Sequence, residues 1–442
     1  MKAWEKRLKD LWLILERCHE TYMEPELFRL NLNQFLQTSR TVTFIIQKNK
    51  DSISNFQQWY DPIMANWGRD PVMNWAKDSR NRIEKEGDLE LHSSLDLTLF
   101  WSYLLENDTK ITTNRSELLQ AGTKRLIRLA QKGLPSGFIK SSAIRIERRW
   151  VANSLPEWEL LHAFNYIYST LHGLCKSFSL LAGAEMGDSV PSTSELQSSK
   201  DEARRISYLK LSDLSLNSKR VKRHSFNVEE IPADHLKAIG SLKGNMVAPK
   251  DMDSVFDGLC EMATSLFELD GHHVPMMFFY GEDMRVIDMM SMAYGDRVDK
   301  YIFWRSAAER VIATKAKVIV TIGEAWMRDL SRYRISEGID ALPIIGERLI
   351  ITALDTSAKY RSASWDISRK TPDAKPTLTK CEPGHLDNEI PFYYAPIIRS
   401  LGLPYPDSIR KEIMGHERQD LVHPRHRAAC ALYTLARARR LH

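Results

Sequence analysis

The sequence contains few of the patterns that mark well-known catalytic or metal sites. A Walker-type phosphate loop, a GxGxxG turn, a GxSxG nucleophile motif and an HExxH zinc motif are all absent. Cysteine is scarce, and the five residues form no CxxC pair and no Cys/His cluster with zinc spacing. We therefore predict no metal and no cofactor. We interpret the cysteines as free thiols of a reducing cytoplasm, namely Cys18, Cys175, Cys260, Cys381 and Cys430.

Long apolar runs are missing as well. No stretch approaches the roughly 18 consecutive apolar residues that suggest a membrane span. The first residues, Met1 to Arg7, are charged and amphipathic and lack the apolar core of a signal peptide. The sequence thus predicts a cytoplasmic protein without a membrane partner.

What is present is the composition of a folded protein with several domains. Of the 442 residues, 43% are hydrophobic and 27% are charged, which is typical of globular proteins. At about 150 residues per domain, two or three domains are expected. We predict a multidomain α and α+β fold. It has a helical bundle over 1–185, a basic linker and strand segment over 186–250, an α+β domain with one mixed sheet over 251–370, and a Pro-containing tail ending in a basic helix over 371–442.

The first 185 residues are interpreted as helical almost throughout. Two apolar stripes step by three or four positions, as the buried face of a helix does. Helix starts are predicted at Asp61 and Asp70, each of which precedes a proline, and at Ser154, which forms a capping box with Glu157. Residues 141–151 alternate like an exposed strand or form a basic helix edge. The stripes are Phe28, Leu32, Phe35, Val42 and Ile46, and Leu160, Phe164, Ile167, Leu171, Leu174, Phe178 and Leu181.

The second half of the sequence contains apolar residues at both helical and strand spacing. Apolar spacing predicts one helix over 255–269, ending near Gly271, and a second helix over about 297–314. Helix, hairpin, helix and further strands indicate an α+β arrangement around one sheet. The predicted strands are 273–280, 285–288, 317–322, 347–354 and 359–367.

Positive charge is concentrated locally. The net charge is only +5, but the stretch from Lys200 to Arg223 holds eight basic and three acidic residues. The stretch from Arg425 to His442 holds five arginines and no carboxylate. Local positive potential attracts phosphate, so we predict nucleic-acid contacts there, although a solvated surface is the alternative. The residues predicted to make these contacts are Arg220, Lys222 and Arg223.

A second basic candidate lies on the helix predicted after Asp70. Arg80, Asn81 and Lys85 fall within about 140° of one another around a helix, so all three can face one groove. An arginine can hold a phosphate through two parallel hydrogen bonds, and a lysine adds a point charge. The alternative is an ordinary helix surface, on which Arg80 pairs with Glu84.

This stretch resembles the HEPN superfamily of helical bundles, in which Arg-Asn is followed a few residues later by histidine. Arg80-Asn81 matches the first half of that motif, and Lys85 to Gly87 occupy the histidine window. The resemblance covers roughly residues 20–130 and implies a homodimer that acts on RNA or binds a nucleotide. Because the pKa of a lysine is normally about 10.4, Lys85 is a poor proton shuttle at neutral pH. We therefore predict a binding member of the superfamily.

A second candidate site lies in the α+β half. Glu324 directly follows a buried strand and a glycine, and Asp283 and Asp288 lie near the predicted hairpin. Carboxylates at a strand end suit a metal-dependent hydrolase. The alternative for Glu324 is an acid at a helix N-terminus.

The leading hypothesis is an RNA-directed or nucleotide-sensing bacterial protein, in antiphage defence or a toxin–antitoxin system. The first alternative is a non-catalytic module that binds a protein partner or a small ligand. The second is the metal-dependent hydrolase. The sequence leaves open whether the protein is an enzyme.

Overall fold

The computed structural model describes residues 1–112, 119–132, 134–193, 205–213, 248–329, 342–369, 374–382, 389–407 and 409. The chain forms two compact units. The first contains Met1–Phe100 and Asp108–Leu216, and the second contains Trp101–Asn107 and Asn217–His442. Helices come first and strand-rich regions follow, so the predicted multidomain α and α+β class is confirmed.

The helices of the first unit bury their apolar stripes in one core. Both predicted stripes are confirmed, because every stripe residue is buried except Leu181 at a helix end. The stripes also meet, since the rings of Phe35 and Phe164 lie 4.5 Å apart. Among the described residues the helices are α1 (Ala3–Glu20), α2 (Pro25–Lys48), α3 (Phe56–Arg69), α4 (Pro71–Lys85), α5 (Thr123–Gln131), α6 (Ser136–Lys140) and α7 (Leu160–Leu181), with a 3-10 turn at Lys50–Ser52.

An antiparallel sheet also belongs to the first unit, so the interpretation of its residues as helical almost throughout is wrong there. Its order is β2-β1-β3-β4, and β5 pairs with β3 as well. The strand predicted over 141–151 is confirmed as β3. In β1, Leu95, Leu97 and Leu99 are buried while Asp96 is exposed, which is the period of a strand with one buried face. The strands are β1 (Leu91–Phe100), β2 (Thr109–Thr112), β3 (Ala143–Ala152), β4 (Leu155–Glu159) and β5 (Ile206–Lys210).

Strand β5 explains why the units divide later than the predicted boundary at residue 185. It pairs antiparallel with β3, from Ala143 opposite Lys210 to Glu147 opposite Ile206. Backbone hydrogen bonds of this kind fix a segment in its sheet. Part of the predicted 186–250 linker therefore belongs to the first unit, which extends to Leu216.

The two predicted helix starts at Asp-Pro pairs had different outcomes. Asp70 caps α4, because its Oδ1 accepts hydrogen bonds of 2.9 Å from the backbone nitrogens of Val72 and Met73. The start predicted at Asp61 is wrong, because Pro62 lies inside α3. Packing of the preceding turn in the core outweighs the hydrogen bond that an interior proline removes.

The capping box predicted at Ser154 is wrong too, because Ser154 lies in a turn and β4 begins at the next residue, Leu155. Antiparallel pairing with β3 and burial of Leu155 favour the strand. Helix α7 begins only after Glu159, whose Oε2 accepts hydrogen bonds from the backbone nitrogens of Leu161 at 2.9 Å and His162 at 3.2 Å. The cap is thus a glutamate five residues later than expected.

We expect Asp70→Ala to lower the free energy of unfolding by about 1–2 kcal/mol, because two backbone amides of α4 lose their acceptor. Asp61→Ala is the matched control, since Asp61 is an exposed aspartate inside α3. Its effect should stay within about 0.5 kcal/mol. Urea unfolding followed by circular dichroism measures both changes, and equal losses would contradict the assigned cap.

The second unit is built on a six-stranded sheet, in the order β11-β10-β9-β8-β6-β7. The helices predicted over 255–269 and 297–314 and the five predicted strands are confirmed as α8, α9 and β6 to β10. Every strand pair of this sheet is antiparallel in the described residues, where the sequence predicts a mixed sheet. Four of the five pairs join strands that are consecutive in the chain, and the fifth joins β6 to β8. The elements are α8 (Met252–Asp270), α9 (Arg297–Thr314), α10 (Ala395–Ser400), β6 (Met276–Tyr280), β7 (Val286–Ser291), β8 (Val318–Arg328), β9 (Ile344–Asp355), β10 (Tyr360–Ser368) and β11 (Thr377–Lys380), with 3-10 turns at Leu105–Asn107 and Phe392–Tyr394.

The two faces of this sheet are covered differently. Helix α8 packs its apolar residues, among them Phe256 and Phe267, on the face that carries Val320. Side chains alternate along a strand, so the next residue of β8, Thr321, lies on the opposite face. There the Thr352 hydroxyl lies 2.6 Å from the Tyr394 hydroxyl, and both are buried. The basic helix predicted over 425–440 lies outside the described residues.

The short segment Trp101–Asn107 is part of the second unit, although its neighbours in sequence belong to the first. Arg305 is buried, and its Nη2 donates to the carbonyl oxygens of Ser102 at 3.0 Å and Leu104 at 3.2 Å. The ring of Tyr103 packs edge-on against Tyr301, with the centroids 4.7 Å apart. A charged side chain and an aromatic contact thus fix this segment.

Candidate functional site

The C-terminal end of α4 carries the residues that the sequence singles out. Lys85 is exposed, whereas Arg80 and Asn81 are partly buried. Arg80 Nη2 lies 2.8 Å from Glu84 Oε1, and Arg80 Nη1 donates to Asn81 Oδ1 at 3.1 Å. The helix-surface pair of Arg80 with Glu84 is therefore present. A phosphate at Arg80 would have to compete with Glu84 for the guanidinium.

Nearer the start of α4, the structure contains a pocket of about 240 Å³ that the sequence analysis did not predict. Four helices of the first unit form its walls. The α2 wall is polar throughout, and the α7 wall is apolar. The α2 wall consists of Ser39, Arg40, Thr43 and Gln47, and the α7 wall consists of Ile167 and Leu171.

The other two walls add an aromatic ring and a second cation. Helix α3 contributes Met64, Trp67 and Gly68. Helix α4 contributes an apolar side chain at Met73 and a basic one at Lys77. A pocket with apolar and aromatic walls and a few convergent polar groups is the usual form of a small-ligand site.

The electrostatic character of the pocket is positive. Arg40 and Lys77 line it, and no carboxylate occurs among its described lining residues. Arg40 Nη1 donates to Thr43 Oγ1 at 3.1 Å, and its guanidinium stacks 4.4 Å from the ring of Phe44. Lys77 Nζ lies 3.6 Å from Asp78 Oδ1, a solvent-exposed pair of little energy. Both cations are therefore available to an anion.

A buried hydroxyl lies close to the polar wall. Tyr60 is 3% exposed, and its hydroxyl has no hydrogen bond of normal length to any described residue. Burial raises the pKa of Tyr60, while the positive charge of Arg40 and side-chain hydrogen bonds with Gln47 and Thr43 lower it in part. Those three residues all line the α2 wall. The hydroxyl therefore stays protonated at neutral pH, and Tyr60 itself is not one of the residues that line the pocket.

Gly68 forms an open part of the pocket wall. A Cβ placed on this residue would meet no atom within 4 Å. Since Gly68 lies in α3, a larger side chain there needs no unusual backbone conformation. One signal of the pocket is visible in the sequence, because polar Arg40, Thr43 and Gln47 recur at helical spacing along α2.

The second candidate site has a different geometry from the one predicted. Glu324 lies within β8, so it neither ends the strand nor begins a helix. It is exposed, and its Oε1 accepts a hydrogen bond of 2.6 Å from the backbone nitrogen of His273. The interpretation of Glu324 as an acid at a helix N-terminus is wrong, because antiparallel pairing with β9 extends the strand to Arg328.

The other two carboxylates of that site have their own partners. Asp288 Oδ2 lies 2.5 Å from Arg310 Nη1 on α9, and Asp283 Oδ2 lies 3.5 Å from Arg285 Nε in the hairpin. The hairpin lies beside the first residue of β8, and Glu324 is six residues further along that strand. At about 3.3 Å per residue, roughly 20 Å separate them. The structure does not bring the three carboxylates together.

The basic residues Arg220, Lys222 and Arg223, and the stretch from Arg425 to His442, lie outside the described residues. Within the described part of the chain, no three His, Cys, Asp or Glu side chains are grouped as metal ligands. None of the helices described there has both the length and the apolar character needed to cross a membrane.

Comparisons with known proteins identify relatives over almost the whole chain. The family model described as bacteriophage lambda protein ea47 matches residues 1–414. Protein ea47 of Escherichia phage lambda is 43% identical over 405 residues, which cover 91% of this chain and 97% of the relative. No solved structure matches the chain significantly. From the extent of both sequence matches, the chain belongs to the bacteriophage lambda protein ea47 family.

Proposed function

We propose that this protein binds a nucleotide in the pocket between α2, α3, α4 and α7, either as a free molecule or as part of RNA. One observation carries the proposal: the pocket combines two cations with an aromatic ring and has no carboxylate among its described lining residues. A nucleotide is an anion joined to a flat aromatic base. The phosphate matches the cations Arg40 and Lys77, and the base matches the aromatic ring of Trp67.

The position of Arg80 favours a role in holding RNA beyond the pocket. Residues three or four positions apart share one side of a helix, so Arg80 lies on the same side of α4 as Met73 and Lys77. It is one helical turn further from the pocket, and a quarter of its side chain is exposed. A polynucleotide whose end occupies the pocket would extend along Lys77 and Arg80. The HEPN-like RNA-directed role and its setting in antiphage defence or a toxin–antitoxin system stay predictions.

Filling the pocket tests the proposal directly. We expect Gly68→Phe to weaken nucleotide binding by about tenfold or more, because the new ring occupies space that an added Cβ finds empty. Isothermal titration of the whole chain with nucleotides and short oligoribonucleotides measures the change. The eleven tryptophans make this readout preferable to intrinsic fluorescence.

Gly173→Phe is the matched control. Gly173 is also an exposed helix glycine with no atom within 4 Å of an added Cβ, but it lies on α7 outside the pocket lining. It should leave binding unchanged. If both variants bind nucleotides as the wild type does, or if the wild type binds none, the proposed function is wrong.

A protein partner is the second candidate function, and the second unit offers an observation in its favour. Trp326 on β8 and Ile345 on β9 are 64% and 67% exposed. Large apolar side chains this exposed are enriched where proteins associate. A partner that binds there would do so independently of the nucleotide pocket, so Gly68→Phe should not affect it.

A further inference from the structure

Helix α5 and the residue that follows it carry four exposed cations on one side. At about 100° per residue, the four positions fall within about 100° of one another around the helix axis. The opposite side is apolar, and Leu126 and Ile127 are buried there. We call the four cations the α5 basic face, which consists of Lys124, Arg125, Arg128 and Lys132.

The α5 basic face lacks the ion pairs that cations on a helix surface usually form. In the described part of the chain, none of its four side chains pairs with a carboxylate. On α4, by contrast, Arg80 pairs with Glu84 and Arg82 with Glu86. The sequence explains the difference, because residues 118–146 contain six basic residues and no Asp or Glu. Four unneutralised charges on one face create a local positive potential that attracts a polyanion.

Contacts near both ends hold α5 in place. Arg148 is buried, and its guanidinium donates to the carbonyl oxygens of Leu119 at 2.9 Å and Ala121 at 2.6 Å, just before the helix. At the other end, Gln131 Nε2 donates to the carbonyl oxygen of Leu211. The positions of the cations are therefore fixed before a partner arrives, which reduces the entropy that binding costs.

We propose that the α5 basic face binds the phosphate backbone of double-stranded DNA without reading its sequence. The surface is separate from the nucleotide pocket, whose lining residues come from α2, α3, α4 and α7. The inference therefore goes beyond the proposed function and does not depend on it.

The composition of the face argues against two other polyanions. A membrane-bound amphipathic helix inserts its apolar side into the lipid, but Leu126 and Ile127 are already buried in the protein. Sites for single-stranded nucleic acid combine cations with aromatic rings on which the bases stack, and residues 121–132 contain no aromatic residue. The face offers cations alone, and contacts of this kind position a duplex without reading its bases.

The spacing of the cations suits a DNA strand. From Lys124 to Lys132 the helix rises about 12 Å, so the four charges lie about 4 Å apart along its axis on average. The phosphates of one strand of duplex DNA follow one another at about 3.4 Å along the axis. Proteins distinguish RNA from DNA through the 2′-hydroxyl, and the face presents no acceptor for that group.

The test measures binding of the whole chain to a short, fluorescently labelled DNA duplex of mixed sequence, by anisotropy over a range of salt concentrations. The wild type should bind, and its affinity should fall linearly with salt on a log–log plot. The double variant Lys124→Gln, Arg128→Gln should bind about tenfold or more weakly and flatten the slope by about 2, one for each lost phosphate contact. Thermal unfolding should be unchanged, since both side chains are exposed.

The double variant Lys6→Gln, Arg17→Gln is the matched control. It removes one lysine and one arginine from exposed positions of α1, so the change in net charge is the same. It should bind the duplex as the wild type does. The two proposals can also fail separately, because Gly68→Phe should keep duplex binding and the α5 variant should keep nucleotide binding.

Three results would overturn the inference. The first is a wild type that does not bind the duplex at low salt. The second is an equal loss of affinity in the α1 and α5 variants, or no loss in the α5 variant, since binding would then come from net charge or from other basic segments. The third is tighter binding of the wild type to an RNA duplex, a single strand or vesicles containing phosphatidylserine than to the DNA duplex.

Discussion

Replacing Trp150 with alanine should destabilise the first unit by about 3–5 kcal/mol, the range found for large aromatic residues in protein cores. Trp150 is 1% exposed, and its ring stacks on Phe28 with the centroids 5.6 Å apart. Its Nε1 also donates to the carbonyl oxygen of Tyr22 at 3.0 Å. The substitution therefore leaves a cavity and a buried carbonyl without its partner. Urea unfolding followed by circular dichroism measures the loss.

Trp326→Ala serves as its control. Trp326 is 64% exposed, so its removal opens no cavity and should change stability by no more than about 0.5 kcal/mol. Similar losses for the two tryptophans would show that Trp150 does not anchor the core.

Glu159→Ala should cost about 2–4 kcal/mol. The carboxylate accepts hydrogen bonds from two backbone nitrogens at the start of α7, and loss of a helix cap costs about 0.5–2 kcal/mol. Its Oε1 also accepts from the Tyr22 hydroxyl at 2.7 Å in the buried interior. Leaving that hydroxyl without an acceptor adds about 1–3 kcal/mol.

The loss of stability caused by Glu159→Ala should depend on pH. Burial raises the pKa of Glu159 above its ordinary value of about 4.5, although the hydrogen bond from Tyr22 lowers it in part. The folded protein thus binds this proton more tightly than the unfolded chain. The resulting stability is fully present below pH 4.5 and is lost as the pH rises through the folded-state pKa. The difference between wild type and Glu159→Ala should therefore shrink from acidic to neutral pH, and a difference that grows would contradict this assignment.

The second half of the fold was predictable because local signals and tertiary packing agree. Helix α9 begins at a capping box, in which Asp296 accepts from the backbone nitrogen of Asp299, and its predicted bounds match the structure. Helix α8 ends at Gly271, whose φ of +73° is the left-handed conformation that glycine adopts readily. Each of these ends is determined by residues close to it in the sequence.

Strand β1 was not predicted, because the spacing of its leucines fits a helix as well as a strand. Leu95 and Leu99 are four residues apart, which suits a helical stripe as well as an alternating strand. Pairing with β3, about fifty residues later in the chain, decides in favour of the strand. A contact so distant in sequence leaves no local signal.

The candidate site shows the same limit. The sequence pointed to α4, and the pair of Arg80 with Glu84 was already one of its interpretations. The pocket itself uses residues from Ser39 to Leu171 on four helices, so spacing along the chain cannot show that they meet. Arg40 and Trp67 lie on different helices, and only the packing of those helices brings both to the pocket.

The assignment of Trp101–Asn107 to the second unit has a practical consequence for gene design. A fragment that starts at Asn217 would lack this segment, so the buried Arg305 would lose the carbonyl acceptors of Ser102 and Leu104. A buried cation that loses two of its acceptors is destabilised, and the fragment would be expected to misfold or aggregate. Isolating the second unit would therefore require a circularly permuted or fused gene that supplies this loop in cis.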